Sequence, residues 1–328
     1  MEVTTLHPTD LEISRVGFGC AGLMRVTSRK ARMRLLAAAL DAGISHFDVA
    51  RMYGLGAAER EVGHFLRGKR AQVTIATKFG IGLPPAVGRL ASLQRPARSL
   101  INRYPALRRT IRQGASRAQV AHQHDVATAR SSLETSLREL GTDYVDLFLL
   151  HEPASLNSSA LEDLCGYLES ARNAGKIRAW GFAGDQSICA ALQAAVAVPT
   201  AVQFHKDIFS SPIISKPDHP ASTIVFGVIS SALPRIRSYV IRDPVRRRTW
   251  TEALGFDATD GTALASLLLR DAVAREPHDV VLFSTTHPTR VAPTVLPAVA
   301  ALSSTADDSA LATFRGLLST DPPPPIAA

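Results

Sequence analysis

The sequence predicts a (β/α)8 TIM barrel, parallel throughout, with a long insertion after the third strand. Three observations predict it. Eight apolar runs of strand length alternate with amphipathic runs of helix length. Several of the helical runs stop at a glycine, at Gly43, Gly141 and Gly175. Polar residues able to do chemistry (Asp48, Lys78 and His151) stand at or near the C-terminal ends of their strand-like runs. Strands separated by helices of 10–15 residues imply right-handed βαβ units and a parallel sheet. Eight such units suit a closed barrel better than an open sheet, and such a barrel takes ~250 residues. The 328 residues therefore leave room for insertions.

Taken in order, SRVGFGC (14–20) is a strand, followed by a helix over 28–42. SHFDVA (45–50) precedes a helix over 57–67, and VTIATKF (73–79) leads into the insertion. A helix over 125–140 precedes YVDLFLLH (144–151), and a helix over 159–174 precedes KIRAWGFAG (176–184). A short helix near 186–195 follows, then strands at TAVQFHKD (200–207) and STIVFGVIS (222–230). A helix over 262–275 precedes the last strand, DVVLFST (279–285), and another helix starts near Pro288. One domain over 1–318 is expected, containing the arginine-rich insertion at about 80–123, with 319–328 a flexible proline-rich tail. In barrels of this kind the chemistry lies on the loops after the strands, so the insertion is expected to overhang the active face.

Composition narrows the function. The net charge is +8, but the stretch from Gly80 to His124 carries eight arginines and no acidic residue, and the rest of the chain is neutral. The basicity is local, and Tyr104 is the only aromatic within it. A base-stacking platform or a general nucleic-acid footprint is not expected. A second basic segment, PRIRSYVIRDPVRRR, lies within 231–261. For both, the readings are a grip on a pyrophosphate, attraction of an anionic substrate, a partner surface, or a plain solvated face. No apolar run approaches the ~20 residues that cross a bilayer. The N-terminus has no basic-then-apolar leader pattern. Three scattered cysteines read as free thiols in a reducing compartment, and no Cys/His spacing suggests zinc. A cytoplasmic protein without metal, membrane or nucleic-acid partner is expected; the oligomeric state is not legible.

Four residues carry the chemistry. Asp48 and Tyr53 lie in HFDVARMYG, Lys78 in VTIATKFG and His151 in VDLFLLHEP. Gathered at strand ends, an aspartate, tyrosine, lysine and histidine can move a proton onto a carbonyl oxygen, which is half of a carbonyl reduction. His46 is expected to face the core and His64 the surface of a helix.

These segments resemble the aldo-keto reductase family. HFDVARMYGLGAAEREVGHFL resembles the signature around its aspartate and tyrosine, IATKFG its lysine strand, and SSLETSLRELGTDYVDLFLLHEP its helix-plus-histidine segment. VQFHKD carries Gln203 at the family's glutamine position, and FSTTHPTRV resembles its cofactor-phosphate loop. The resemblance covers the chain from Val16 to about Val291. It implies a barrel binding NADPH (or NADH) across its C-terminal face, and metal-free reduction of a small aldehyde or ketone, sugar-like carbonyls included.

The resemblance also assigns roles. Tyr53 becomes the general acid. A free tyrosine titrates near ~10, and a nearby Lys78 ammonium is expected to lower that value. Asp48 holds Lys78 by a charge-assisted hydrogen bond, and His151 places the carbonyl. Gln203 holds the nicotinamide amide. Ser284, Thr285, Thr286 and Arg290 form the phosphate site, where hydroxyls, backbone N–H groups, a helix start and a guanidinium combine. Phe226 matches the family's seventh-strand aromatic, which stacks on the nicotinamide. There are departures. Ser284 stands where many relatives have lysine or glycine. Pro293 and Thr294 replace a Glu-Asn pair that touches adenine, and Ala183 and Gly184 replace the Ser-Asn pair that holds the carboxamide. Three alternatives stay open. They are a cofactor-binding accessory protein with little turnover, an NAD-dependent sugar or alcohol dehydrogenase, and an unrelated barrel binding a phosphorylated substrate.

Overall fold

In the computed structural model the described residues are 2–7, 9–82, 123–153, 156–196, 201–210, 222–276, 279–302 and 308–325. The arginine-rich insertion expected at about 80–123 lies almost wholly outside the described residues.

An antiparallel hairpin, β1 (Val3–Leu6) and β2 (Leu11–Ser14), precedes the barrel. The barrel strands are β3 (Val16–Gly19), β4 (His46–Asp48), β5 (Thr74–Phe79), β6 (Val145–His151), β7 (Ile177–Gly184), β8 (Ala201–His205), β9 (Ser222–Phe226) and β10 (Val280–Phe283). They close in chain order, β10 pairing in parallel with both β9 and β3. The helices are α1 (Arg29–Asp41), α2 (Ala58–Leu66), α3 (Val126–Leu140), α4 (Ser158–Asn173), α5 (Gln186–Ala195), α6 (Ala232–Ile241), α7 (Pro244–Leu254), α8 (Gly261–Arg275), α9 (Val291–Leu302) and α10 (Ser309–Thr320). Local chemistry sets their starts. Ser28, Asp125, Asn157, Asp185, Asp243, Asp260 and Asp308 each accept a backbone N–H of the first turn that has no partner within the helix. Pro244 opens α7 where a missing N–H costs nothing, and Gly141 ends α3 in the left-handed region at φ 65°.

Alternation along the strands divides the side chains into two sets. One set, including Phe18, Phe47, Ile75, Phe148, Trp180 and Val225, faces outward against the helices. The other fills the lumen: Ala76, Leu147, Leu149, Ala179, Ala201, Ile224, Val280 and Leu282. Leu6, Leu11 and Ile13 of the hairpin join this lumen cluster, so the hairpin plugs the end of the barrel where the strands begin. Arg15, buried, ties the plug junction to the end of α8 and the approach to β10 by donating to the carbonyls of Val273, Glu276 and Asp279.

The 231–261 segment is two helices, α6 and α7, which pack with α8 and α10 around Trp250 and Phe314 in a satellite core. Four of its arginines are held by the fold. Arg235 donates to the carbonyls of Pro323 and Pro324, Arg246 to Asp321, Arg247 to Asp257 and Arg237 to the Thr259 carbonyl. Among the readings open for this segment these contacts favour a basic face tied into the fold, and one expectation is corrected: the start of the expected flexible tail is helical to Thr320 and then anchored through Pro324. Cys20 and Cys189 are buried and Cys165 half-buried, all as free thiols. Among the described residues no helix is long and apolar enough to cross a membrane.

Candidate active site

The lumen-facing positions nearest the strand ends are Gly19, Asp48, Lys78, His151, Ala183, Gln203, Phe226 and Ser284, one from each barrel segment in turn. They form the floor and rim of a mouth opposite the hairpin plug. Asp48 and Lys78 are buried, and the Lys78 ammonium donates to both Asp48 oxygens, at 2.7 and 2.6 Å, and to the Val49 carbonyl at 3.2 Å. Gln203 reaches across the lumen from β8 and donates to Asp48 Oδ2 at 3.0 Å. Its own Oε1 is buried and without a partner. A buried carbonyl with no donor is costly, so this atom is suited to receive an N–H from a bound molecule.

Tyr53 comes from the loop between β4 and α2. Gly54, Leu55 and Gly56 are all left-handed there, with φ 58°, 57° and 80°. A side chain at Gly54 would meet Met24 Cγ at 2.1 Å, so glycine is required for the loop to fold down. The result sets the Tyr53 ring over the Lys78 ammonium, 5.2 Å from its centroid, with the His151 ring edge-on at 6.1 Å and 85°. The structure thus brings Asp48, Tyr53, Lys78 and His151 together.

The electrostatics differ in one respect from the sequence expectation. Burial pushes the Tyr53 phenol up, Lys78 pulls it back by charge and hydrogen bonding, and Asp48 adds to the rise; the net shift is upward, not downward. Burial outweighs the lysine because the ring, largely enclosed at the rim, sits over a desolvated floor. Burial also opposes the Lys78 ammonium, but Asp48 and Tyr53 together hold it above an ordinary lysine. The site therefore holds a protonated phenol beside a fixed cation. Cys20 lies close beneath and stays a neutral thiol, pushed up by burial and then by Asp48.

His124 was not singled out by sequence. Its Nε2 lies 2.9 Å from the His151 carbonyl oxygen, bracing the strand end that carries His151. Gly80, at φ 111°, makes room, since a Cβ there would sit 2.2 Å from the His124 ring. Only three-dimensional proximity reveals this contact. His46 is fully buried, with Nδ1 2.9 Å from Thr74 Oγ1 and Nε2 unpartnered.

The second group of expected residues continues the same mouth along the rim after β10. Ser284 and Arg290 are exposed, and Thr285 and Thr286 half-buried. Thr285 Oγ1 accepts the His287 N–H at 3.2 Å, and a single-turn helix, Pro288–Arg290, leads into α9. Arg25, also missed by sequence, brings its guanidinium to the same place. A Cβ on Gly22 would lie 3.5 Å from it and 3.7 Å from the Thr286 methyl. Thr294 is buried, so it is turned away from this rim. Ala183 offers no polar side chain, and the place of a side chain on Gly184 is taken by Glu152, whose Oε2 would lie 3.1 Å from a Cβ there. Glu152 itself adopts a left-handed φ of 48°, and its N–H donates to the Ala183 carbonyl at 2.6 Å. Among the described residues no cluster of three or more His, Cys, Asp or Glu side chains could hold a metal ion.

Comparison with known proteins converges. The family model described as the aldo/keto reductase family matches residues 15–217. The NADP(+) aldo-keto reductase yakc of Schizosaccharomyces pombe is 29% identical over 218 residues, which is 65% of this chain and 55% of that protein, so the match spans about half of the relative's length. Among solved structures, the glycerol dehydrogenase AKR11B4 of Gluconobacter oxydans superposes with a TM-score of 0.68 at 20% identity, covering 99% of this chain and 98% of that one. An aldo-keto reductase of Klebsiella pneumoniae in complex with NADPH gives 0.66 at 20% identity, covering 99% and 96%.

Proposed function

The chain belongs to the aldo/keto reductase family, and from that premise we propose that it reduces an aldehyde or ketone to an alcohol with NADPH, Tyr53 serving as the general acid. The observation that carries the reading is the buried Asp48–Lys78 pair beneath Tyr53, with His151 perpendicular to it. A reduced nicotinamide, when bound, supplies the hydride; the chain supplies position and the proton.

The unpartnered Gln203 Oε1 supports amide binding at the mouth, since a carboxamide N–H would satisfy it. Ser284, Thr285, Thr286 and Arg290 would hold phosphate at the rim, with Arg25 beside them. With no side-chain amide at 183–184, Gln203 carries the carboxamide alone. The name of the yeast relative and the NADPH complex of the Klebsiella relative favour NADPH over NADH for this chain too. His151 would donate to the substrate oxygen and set the carbonyl toward Tyr53. The phenol passes its proton to that oxygen as the C–H bond forms. The phenolate left behind faces the Lys78 ammonium, which Asp48 fixes in place, so the charge develops where a counter-charge already stands. General acid catalysis of this kind contributes about 10²–10⁴-fold. Because the phenol is raised rather than lowered, reduction should be flat through neutral pH and fail only in the alkaline range.

A fluorescence titration with NADPH and NADH, followed by a carbonyl screen, tests the proposal. Micromolar NADPH binding, weakened more than NADH binding by Arg290→Ala, is expected. No binding of either nucleotide by the full chain would refute it.

A further inference from the structure

We propose that His205 is a positioning residue for the nicotinamide, acting through Phe226; the inference rests on the cofactor reading above. Two residues beyond Gln203 on β8, His205 is the next side chain on the lumen side of that strand. It is in register with Phe226 of β9. Their rings meet at 5.8 Å and 81°, an edge-to-face pair. Phe226 packs its lower side on the lumen cluster, while the rest of its ring is accessible at the mouth. In the closed barrel β9 stands across from β5, so Phe226 faces the Lys78 wall over the lumen. A flat ring entering between them would lie on Phe226 with its far side toward Tyr53.

What fixes Phe226 is built in three parts. His205 Nε2 lies 2.7 Å from Ser231 Oγ, tying the end of β8 to the start of α6. Gly227, at φ 85°, leaves its surface bare, and a Cβ there would lie 2.3 Å from His205 Cδ2 and 2.5 Å from Nε2. The imidazole therefore rests against the Gly227 backbone, is pinned by Ser231, and holds the Phe226 ring in one orientation. A platform held before the ligand arrives loses less freedom on binding. No residue of this clamp figures in the proton chemistry or the phosphate rim.

A double-mutant cycle read by NADPH fluorescence decides the matter. An aromatic pair of this geometry is worth about 3- to 10-fold in an equilibrium constant, which bounds what its loss can do to affinity. His205→Ala should raise the NADPH Kd by about 3-fold, within that bound, and shift the emission of bound NADPH toward that of the free nucleotide. In a Phe226→Ala background the same substitution should change Kd less than about twofold. Ser231→Ala should give part of the effect, and Gly227→Ala most of it, by displacing the imidazole. The inference is overturned if His205→Ala leaves Kd and emission unchanged, or if its full factor persists without Phe226. Failure of the unsubstituted protein to bind NADPH would instead overturn the cofactor reading, and this inference with it.

Discussion

Lys78→Met isolates what the buried pair does for stability from what it does for chemistry. Methionine keeps the volume but removes the ammonium, leaving the Asp48 carboxylate at 2% exposure with one remaining side-chain donor, Gln203 at 3.0 Å. Removing one partner of a buried ion pair costs ~3–5 kcal/mol. The retained Gln203 bond places this case near the lower end, about 3 kcal/mol. Unfolding entropy of about 2.1 cal/mol/K per residue gives about 0.7 kcal/mol/K for a chain of this length, so Tm should fall by about 4 °C. The double variant Asp48→Asn/Lys78→Met removes both charges and keeps an acceptor for Gln203, and should recover most of that loss. Urea and thermal unfolding measure the stabilities; NADPH-dependent carbonyl turnover measures the chemistry and should be absent in both variants. If Lys78→Met is as stable as the unsubstituted protein, or the double variant is no better than the single, the pair is not a desolvated, mutually dependent unit and the argument fails.

Two further outcomes concern the frame. Burial, with Lys78 assisting, depresses His46 from 6.5 to about 3. An unfolded histidine takes up a proton as pH falls through 6.5 while the folded one does not, so stability is full above 6.5 and lost between 6.5 and about 3, by at most ~5 kcal/mol. Urea unfolding across that window should show a weaker acid dependence in His46→Leu; an identical slope would remove His46 from the account. Gly63→Ala puts a methyl 2.5 Å from the Glu139 carbonyl oxygen and 2.7 Å from that of Leu140, where α2 packs on the end of α3. Despite the helix propensity gained, it should cost about 1–2 kcal/mol in thermal unfolding, and a stabilised variant would contradict the packing.

The barrel was legible because its pattern is local. Each apolar run between helix signals is a strand, and the run 222–230 outlasts β9 because the loop that follows, with Val228 and Ile229, is apolar too. The hairpin plug escaped notice because two four-residue strands carry little periodicity and are defined by what they cover. The Asp48, Tyr53, Lys78 and His151 constellation was legible through motif spacing. The direction of the Tyr53 shift was not, because desolvation depends on what surrounds the ring. Likewise His205, Ser231 and Gly227 are separated in sequence by ordinary residues, and only the β8–β9 register joins them. For the arginines of 231–261 a ligand grip and a plain solvated face stay equally open in the sequence, because charge is visible there while the carbonyls and carboxylates that accept from Arg235, Arg237, Arg246 and Arg247 are not.

In the proposed reaction Tyr53 delivers the proton. Tyr53→Phe keeps the ring over Lys78 and removes only the hydroxyl. With NADPH and a reactive aldehyde, turnover should fall by about 10²-fold or more, while NADPH affinity stays within a few-fold. Turnover close to that of the unsubstituted protein, with the cofactor still bound, would contradict the account.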